Sequence, residues 1–224
     1  TSLLYQAPGN FVWTVAADKS GAVYAGMGGT TAGDAVVMKI SPDGKTTAKV
    51  FAGKELGVQA IRTAPDGKVY AATSPGGRVY RLGDAPSDAV VVFDPAQTEE
   101  KPKYLWDLAF SLDGRQMYVA AGAPAVVYRV PLSGGKPGVL FRTADQHVRS
   151  LLMRPDGLLW AGTDGSGVIY RFDTRVHAAR PTAAYAAERR EITSLAADAA
   201  GNIYAAGVGT RPATGAAQPG LPPL

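Results

Sequence analysis

The sequence predicts an all-β fold, a β-propeller with five four-stranded antiparallel blades visible, and three observations carry that prediction. First, a turn glycine is followed three or four residues later by an aromatic five times: Gly21 and Tyr24, Gly67 and Tyr70, Gly114 and Tyr118, Gly157 and Trp160, Gly201 and Tyr204. Second, these glycines step by 43 to 47 residues along the whole chain, the length of one propeller blade. Third, the intervals hold short runs of β-forming residues broken by Gly, Pro and Asp, such as Val79-Tyr80-Arg81-Leu82 after Pro75-Gly76-Gly77.

Each repeat reads as four strands, a to d. Strand a carries an aromatic sixteen residues before the turn glycine: Tyr5, Phe51, Phe141 and Tyr185. In the third repeat that aromatic, Phe93, stands 21 residues back, so the polar stretch from Asp94 to Lys103 holds an extra loop of about five residues. Strand b shows apolar residues nine and six before the glycine: Val12 and Val15, Val58 and Ile61, Leu105 and Leu108, Val148 and Leu151, Ile192 and Leu195. The b-to-c turn reads Pro-Asp-Gly at 65–67 and 155–157, with proline pre-setting φ and glycine admitting a positive one. Strand c ends in small residues, as in Leu159-Trp160-Ala161-Gly162. Strand d alternates apolar with aromatic or basic residues: Val37-Met38-Lys39-Ile40, Val127-Tyr128-Arg129-Val130, Ile169-Tyr170-Arg171-Phe172. The turn SPDGK at 41–45 leads from d of one repeat to a of the next.

The reading places the propeller at 1–207 and a Pro/Gly/Ala-rich linker or loop at 208–224. The chain opens in strand a at residues 3–6, and the prolines after 207 cannot supply the fifth repeat's strand d. Either the chain is a five-blade ring with a defective last blade, or it is part of a larger propeller with further blades of the same chain; the second is the expectation.

Composition excludes several functions. With 224 residues, 46% hydrophobic and 19% charged, the chain can bury a substantial core. Its net charge is +4, yet Lys and Arg are scattered, with Arg189-Arg190 the only adjacent pair, so no nucleic-acid groove is expected. There is no cysteine, which excludes disulfides, thiolate zinc sites and thiol catalysis. No apolar run reaches the roughly 18 residues of a spanning helix, so no membrane insertion is expected. Asp43, Asp66, Asp113 and Asp156 fall in turns, where capping explains them. His147 and His177 read as solvated loop residues, no Gly-x-Ser-x-Gly elbow exists, and the glycines of GTDGSG at 162–167 lead into a strand rather than a phosphate-binding helix. No catalytic residue, metal or cofactor is expected.

The segments FVWTVAADKSGAVYAG (11–26), YLWDLAFSLDGRQMYVAAG (104–122) and GVIYRF (167–172) resemble bacterial propellers of the NHL, SMP-30-like and WD40-like (YVTN-type) exported group. The resemblance covers residues 1–207 and implies a periplasmic or extracellular setting. True WD40 is a poorer match, since Trp106-Asp107 opens strand b instead of closing strand c. Likeness to SMP-30-type enzymes would imply an early Glu with channel Asn and Asp residues on a metal, but no Glu precedes Glu55 and the asparagines are Asn10 and Asn202 alone.

One ring of positions suggests a ligand mouth. Eight residues before each turn glycine stand Trp13, Gln59, Trp106, Arg149 and Thr193, a mixed set beside the uniformly apolar ring two residues on. Stacking surfaces and hydrogen-bonding groups at one height of a propeller can bind a ligand; they can also simply pack between blades, with Arg149 reaching out to water. Asp107 beside this ring is read as a strand-to-strand hydrogen-bonding residue. The expected function is a non-enzymatic module for protein, peptide or glycan recognition, or a scaffold segment. The alternative is an SMP-30-like or quinoprotein-like enzyme whose catalytic residues lie partly elsewhere.

Overall fold

The computed structural model describes residues 3–7, 11–176 and 180–210. Among these there is no α-helix, only two short 3-10 turns and eighteen strands. Each repeat glycine closes the turn that its position demands. Gly21, Gly67, Gly114, Gly157 and Gly201 have φ between 67° and 93°, a region that any side chain disfavours. Each N–H reaches back to the carbonyl three residues earlier. The turn aspartates cap as expected: Asp43, Asp66, Asp113 and Asp156 accept the N–H of the residue two positions on.

The strands form blades in simple sequential order. β1 (Phe11–Ala17), β2 (Val23–Gly28), β3 (Val36–Ile40) and β4 (Thr47–Ala52) make the first. β5 (Gly57–Thr63), β6 (Val69–Ser74), β7 (Val79–Arg81) and β8 (Val90–Phe93) make the second. β9 (Tyr104–Phe110), β10 (Gln116–Gly122), β11 (Val126–Pro131) and β12 (Gly138–Arg142) make the third. β13 (His147–Met153), β14 (Leu158–Asp164), β15 (Val168–Asp173) and β16 (Thr182–Ala186) make the fourth. The fifth repeat contributes β17 (Arg189–Ala197) and β18 (Ile203–Thr210). All pairings are antiparallel, and single bridges at Gly28–Gly57, Gly122–His147 and Asp164–Glu191 link successive blades.

The blade boundary lies one strand away from the sequence reading. The aromatic-bearing strand expected to open each repeat instead forms the outer strand of the blade before it. β4 with Phe51 pairs with β3, β8 with Phe93 pairs with β7, β12 with Phe141 pairs with β11, and β16 with Tyr185 pairs with β15. The hairpin at 41–46 shows why: the Ser41 N–H bonds the Thr46 carbonyl at 2.9 Å and carries the ladder straight across the turn. A repeat has the same period in any phase, so spacing alone does not say which arm of that hairpin starts a blade. Residues 3–7 accordingly form no strand, and Leu4 packs beside Gly44. β18 runs to Thr210, three residues past the expected end of the propeller, and 211–224 lie outside the described residues.

The core lies between blades. Tyr24, Tyr70 and Tyr118 are buried under the following blade, Trp160 is half-buried, and Tyr204, on the last strand, is 58% exposed. A second contact repeats at the rim: an aromatic on one blade's outer strand meets the third-strand tyrosine of the next. Phe51 and Tyr80 stand 4.7 Å apart, Phe93 and Tyr128 5.1 Å, Phe141 and Tyr170 4.8 Å. The leading flank of β1 is uncovered, with Val12 at 48% and Val15 at 62% exposure, where their counterparts Val58 and Ile61 are at 0%.

Candidate functional site

All five ring residues are the extra residues of β-bulges. In the pairing of β1 with β2, Val12 and Thr14 have partners and Trp13 is passed over. The same break skips Gln59 in β5, Trp106 in β9, Arg149 in β13 and Thr193 in β17. A bulge bends its strand and re-aims one side chain out of the alternating pattern. That is why this ring is chemically mixed while the apolar ring two residues on is uniform.

At three bulges the side chain meets a residue near the start of the next blade's inner strand. Trp106 donates from Nε1 to His147 Nδ1 at 3.1 Å and meets that ring edge-on at 5.3 Å. Its face stacks on Tyr104, two residues before it, at 5.2 Å and 19°. The Arg149 guanidinium lies over the same indole, 3.7 Å from the ring centre, and its Nε donates to Glu191 Oε1 at 2.6 Å. Lys103 extends the stack, with Nζ 5.3 Å from the Tyr104 ring centre. Trp106 and Arg149 are thus brought together, and Arg149 folds inward rather than reaching out to water; its side chain is 25% exposed. Trp13 lies against Gly28 and Gly57, meets Phe11 edge-on at 6.2 Å, and is 54% exposed. Gln59 is half-buried. Thr193 donates to the Ala206 carbonyl of its own hairpin at 3.2 Å.

Two residues of this cluster, Tyr104 and Glu191, carry no motif that singles them out in the sequence, and the third, His147, reads there as a loop residue. Tyr104, His147 and Glu191 all stand ten residues before their turn glycine, a ring completed by Phe11 and Gly57 and as mixed as the bulge ring. That mixture was the available signal. His147 is not a solvated loop residue: it opens β13, is half-buried, and accepts the indole hydrogen bond. Burial holds its pKa below the usual histidine range; Asp164 and Glu191 pull the other way, and the Arg149 charge adds to the lowering. His177 lies outside the described residues.

Beside the bulge ring, side chains seven residues before three of the five glycines tie neighbouring inner strands together. Thr14 Oγ1 accepts the Ile61 N–H at 3.3 Å, and Ser150 Oγ donates to the Ile192 carbonyl at 3.4 Å. Asp107 takes the same role with a charge: it accepts the N–H of Leu151 at 2.9 Å and of Leu108 at 2.8 Å, and pairs with Arg62 Nη2 at 2.6 Å. Burial pushes its carboxyl pKa up, while Arg62 and the two N–H donors pull it down. Among the described residues no group of three or more His, Asp or Glu side chains is placed to hold a metal ion.

A separate recess of about 800 Å³ opens at the outer rim beside the loop after β8, lined by Phe93, Thr98, Glu100, Tyr128, Lys136 and Arg142 among others. Tyr128 donates to Glu100 Oε2 at 3.0 Å, and burial pushes its pKa up to about 12. None of the ring residues lines it.

No family model matches the sequence, and no curated protein does. Solved structures do. In the nidogen/laminin complex a chain 11% identical matches with a TM-score of 0.69 over 91% of this chain and 74% of its own length. A catalytically inactive virginiamycin B lyase from Staphylococcus aureus, solved with quinupristin, is 15% identical with a TM-score of 0.66 over 87% and 62%. An extracellular domain from B. thetaiotaomicron, assigned to a hybrid two-component system, is 20% identical with a TM-score of 0.65 over 90% of this chain and 27% of its own. At these identities the likeness concerns the fold, and together with the blade order above it shows the chain to be a β-propeller protein.

Proposed function

We propose that this chain is a non-enzymatic recognition module that binds a protein, peptide or glycan partner at the channel mouth formed by the five bulges. The observation that carries the reading is that each inner strand breaks its ladder at the same register, taking one residue, Trp13, Gln59, Trp106, Arg149 or Thr193, out of the alternating pattern. Bulges are enriched next to binding and active sites for this reason. Two tryptophans with a guanidinium and an amide are the groups that stack on and hydrogen-bond to partners. Similar structures that come from a protein complex and from the extracellular domain of a two-component system favour recognition, and support an exported setting. The enzyme reading draws on the likeness to the lyase and to a protein assigned as a gluconolactonase, 16% identical with a TM-score of 0.67. The test is display of the chain on peptide and glycan arrays beside its Trp13→Ala and Gln59→Ala variants. Signal that falls in the variants supports the reading; equal signal from all three overturns it.

A further inference from the structure

Trp13 and Trp106 are the same residue of two blades, and the chain completes the surroundings of one while leaving the other open. Around Trp106 the protein supplies a stacked ring from Tyr104, a cation over the indole from Arg149, and an acceptor for the indole N–H from His147. The matching positions around Trp13 are Phe11, Gln59 and Gly57. Phe11 meets the indole edge-on, at 63°. Gly57 has no side chain to accept a hydrogen bond, and among the described residues neither the Trp13 N–H nor the Gln59 amide has a partner. The leading flank of β1 is uncovered. Val12 and Val15 lie on that flank, whereas the bulge turns Trp13 toward the second blade, against Gly28 and Gly57.

We infer that Trp13 and Gln59 receive an arginine side chain of a peptide or protein partner, its guanidinium over the indole as that of Arg149 lies over Trp106. This inference rests on the reading of the mouth as a recognition surface and names the chemistry of its ligand. A planar guanidinium stacks on an indole face and still offers in-plane N–H donors, which the free Gln59 carbonyl can accept. The net charge of +4 disfavours nonspecific attraction of a cationic peptide, so binding must come from the site.

The test titrates the full chain with the blocked hexapeptide Gly-Gly-Arg-Arg-Gly-Gly, its citrulline counterpart and maltohexaose, read by calorimetry and tryptophan emission. The arginine peptide should bind, and the citrulline peptide about tenfold more weakly. Trp13→Ala should lose a similar factor. Gln59→Arg is the decisive variant, because it places an arginine where Arg149 stands relative to Trp106 and fills the site from within. It should abolish peptide binding while leaving the circular dichroism spectrum unchanged. Equal binding of the citrulline peptide, or binding that survives Gln59→Arg, overturns the inference. Maltohexaose binding that depends on Trp13, without arginine binding, also overturns it but leaves the mouth a recognition surface. No binding of any probe, with silent arrays, overturns both.

Discussion

The guanidinium of Arg149 covers the Trp106 indole at 3.7 Å and donates to Glu191, so one side chain ties together the inner strands of three successive repeats. Its sequence neighbours give no hint of this, since the contact depends on bulges in both β9 and β13. Removing it opens one face of the indole and strips a carboxylate that is 22% exposed of its partner.

Arg149→Ala should therefore cost about 1–2 kcal/mol, between the values for an exposed pair and a buried one. Arg149→Lys keeps the charge but loses the planar stack, and should fall between the two. Urea denaturation measures the loss, and a red shift of tryptophan emission should accompany it. A loss below about 0.3 kcal/mol would show the stack to be incidental.

Propeller architecture was legible because glycine turns and inner-strand apolar pairs repeat with the blade, and each has a local cause. The turn at Gly67 needs a positive φ wherever the blade sits. A repeat does not reveal its own phase, so spacing alone assigns Phe51 and Phe141 to the blade after the one they complete. The bulge register was legible as a ring of unlike residues, Trp13 through Thr193, because a bulge breaks the alternation at that register in every repeat. Its bonding was not: that Thr193 turns back to Ala206 while Arg149 turns to Trp106 depends on what each neighbouring blade offers.

Burial separates aromatics that the sequence makes equivalent. Tyr118 is 1% exposed between the third and fourth blades, whereas Tyr204 is 58% exposed. Tyr118→Ala should cost on the order of 3 kcal/mol as a large-to-small core change, and Tyr204→Ala less than about 0.5 kcal/mol. Comparable losses at both sites, by chemical denaturation, would mean that Tyr204 is covered in solution.

Arg62 and Asp107 give a prediction in which pH sets the sign. Asp107 is buried and its carboxyl is already pushed above the ordinary carboxylate range, with Arg62 pulling it back. In Arg62→Ala that pull is lost and the folded-state pKa rises further above the unfolded value. A raised carboxyl destabilises the fold in full above its folded pKa, and the deficit shrinks as pH falls from there and is gone below the unfolded value. Because the guanidinium is 42% exposed, the deficit at pH 7 should be about 2 kcal/mol rather than the full cost of a stranded buried charge. It should shrink as pH falls toward 4. In an Asp107→Asn background, where no charge is stranded, Arg62→Ala should cost much less; equal costs in both backgrounds would rule out the coupling.

His147 makes the Trp106 cluster sensitive to mild acid. Its Nδ1 accepts the Trp106 N–H, which fixes the neutral tautomer with the proton on Nε2. Protonating Nδ1 breaks that hydrogen bond and adds a positive charge near Arg149, and burial opposes the charged form, so the folded-state pKa lies below the ordinary value of 6.5. Below that ordinary value the unfolded chain binds a proton that the folded one resists, so stability must fall as pH drops from about 6.5 through the folded pKa. Urea midpoints measured between pH 8 and pH 5 should decline below about 6.5, with tryptophan emission changing over the same range as the indole loses its acceptor. His147→Phe keeps an aromatic edge against Trp106 and has no proton to bind, so it should flatten that slope while lowering stability at pH 8. A slope that persists unchanged in His147→Phe would assign the transition to another group and remove the Trp106–His147 hydrogen bond from the account of the mouth.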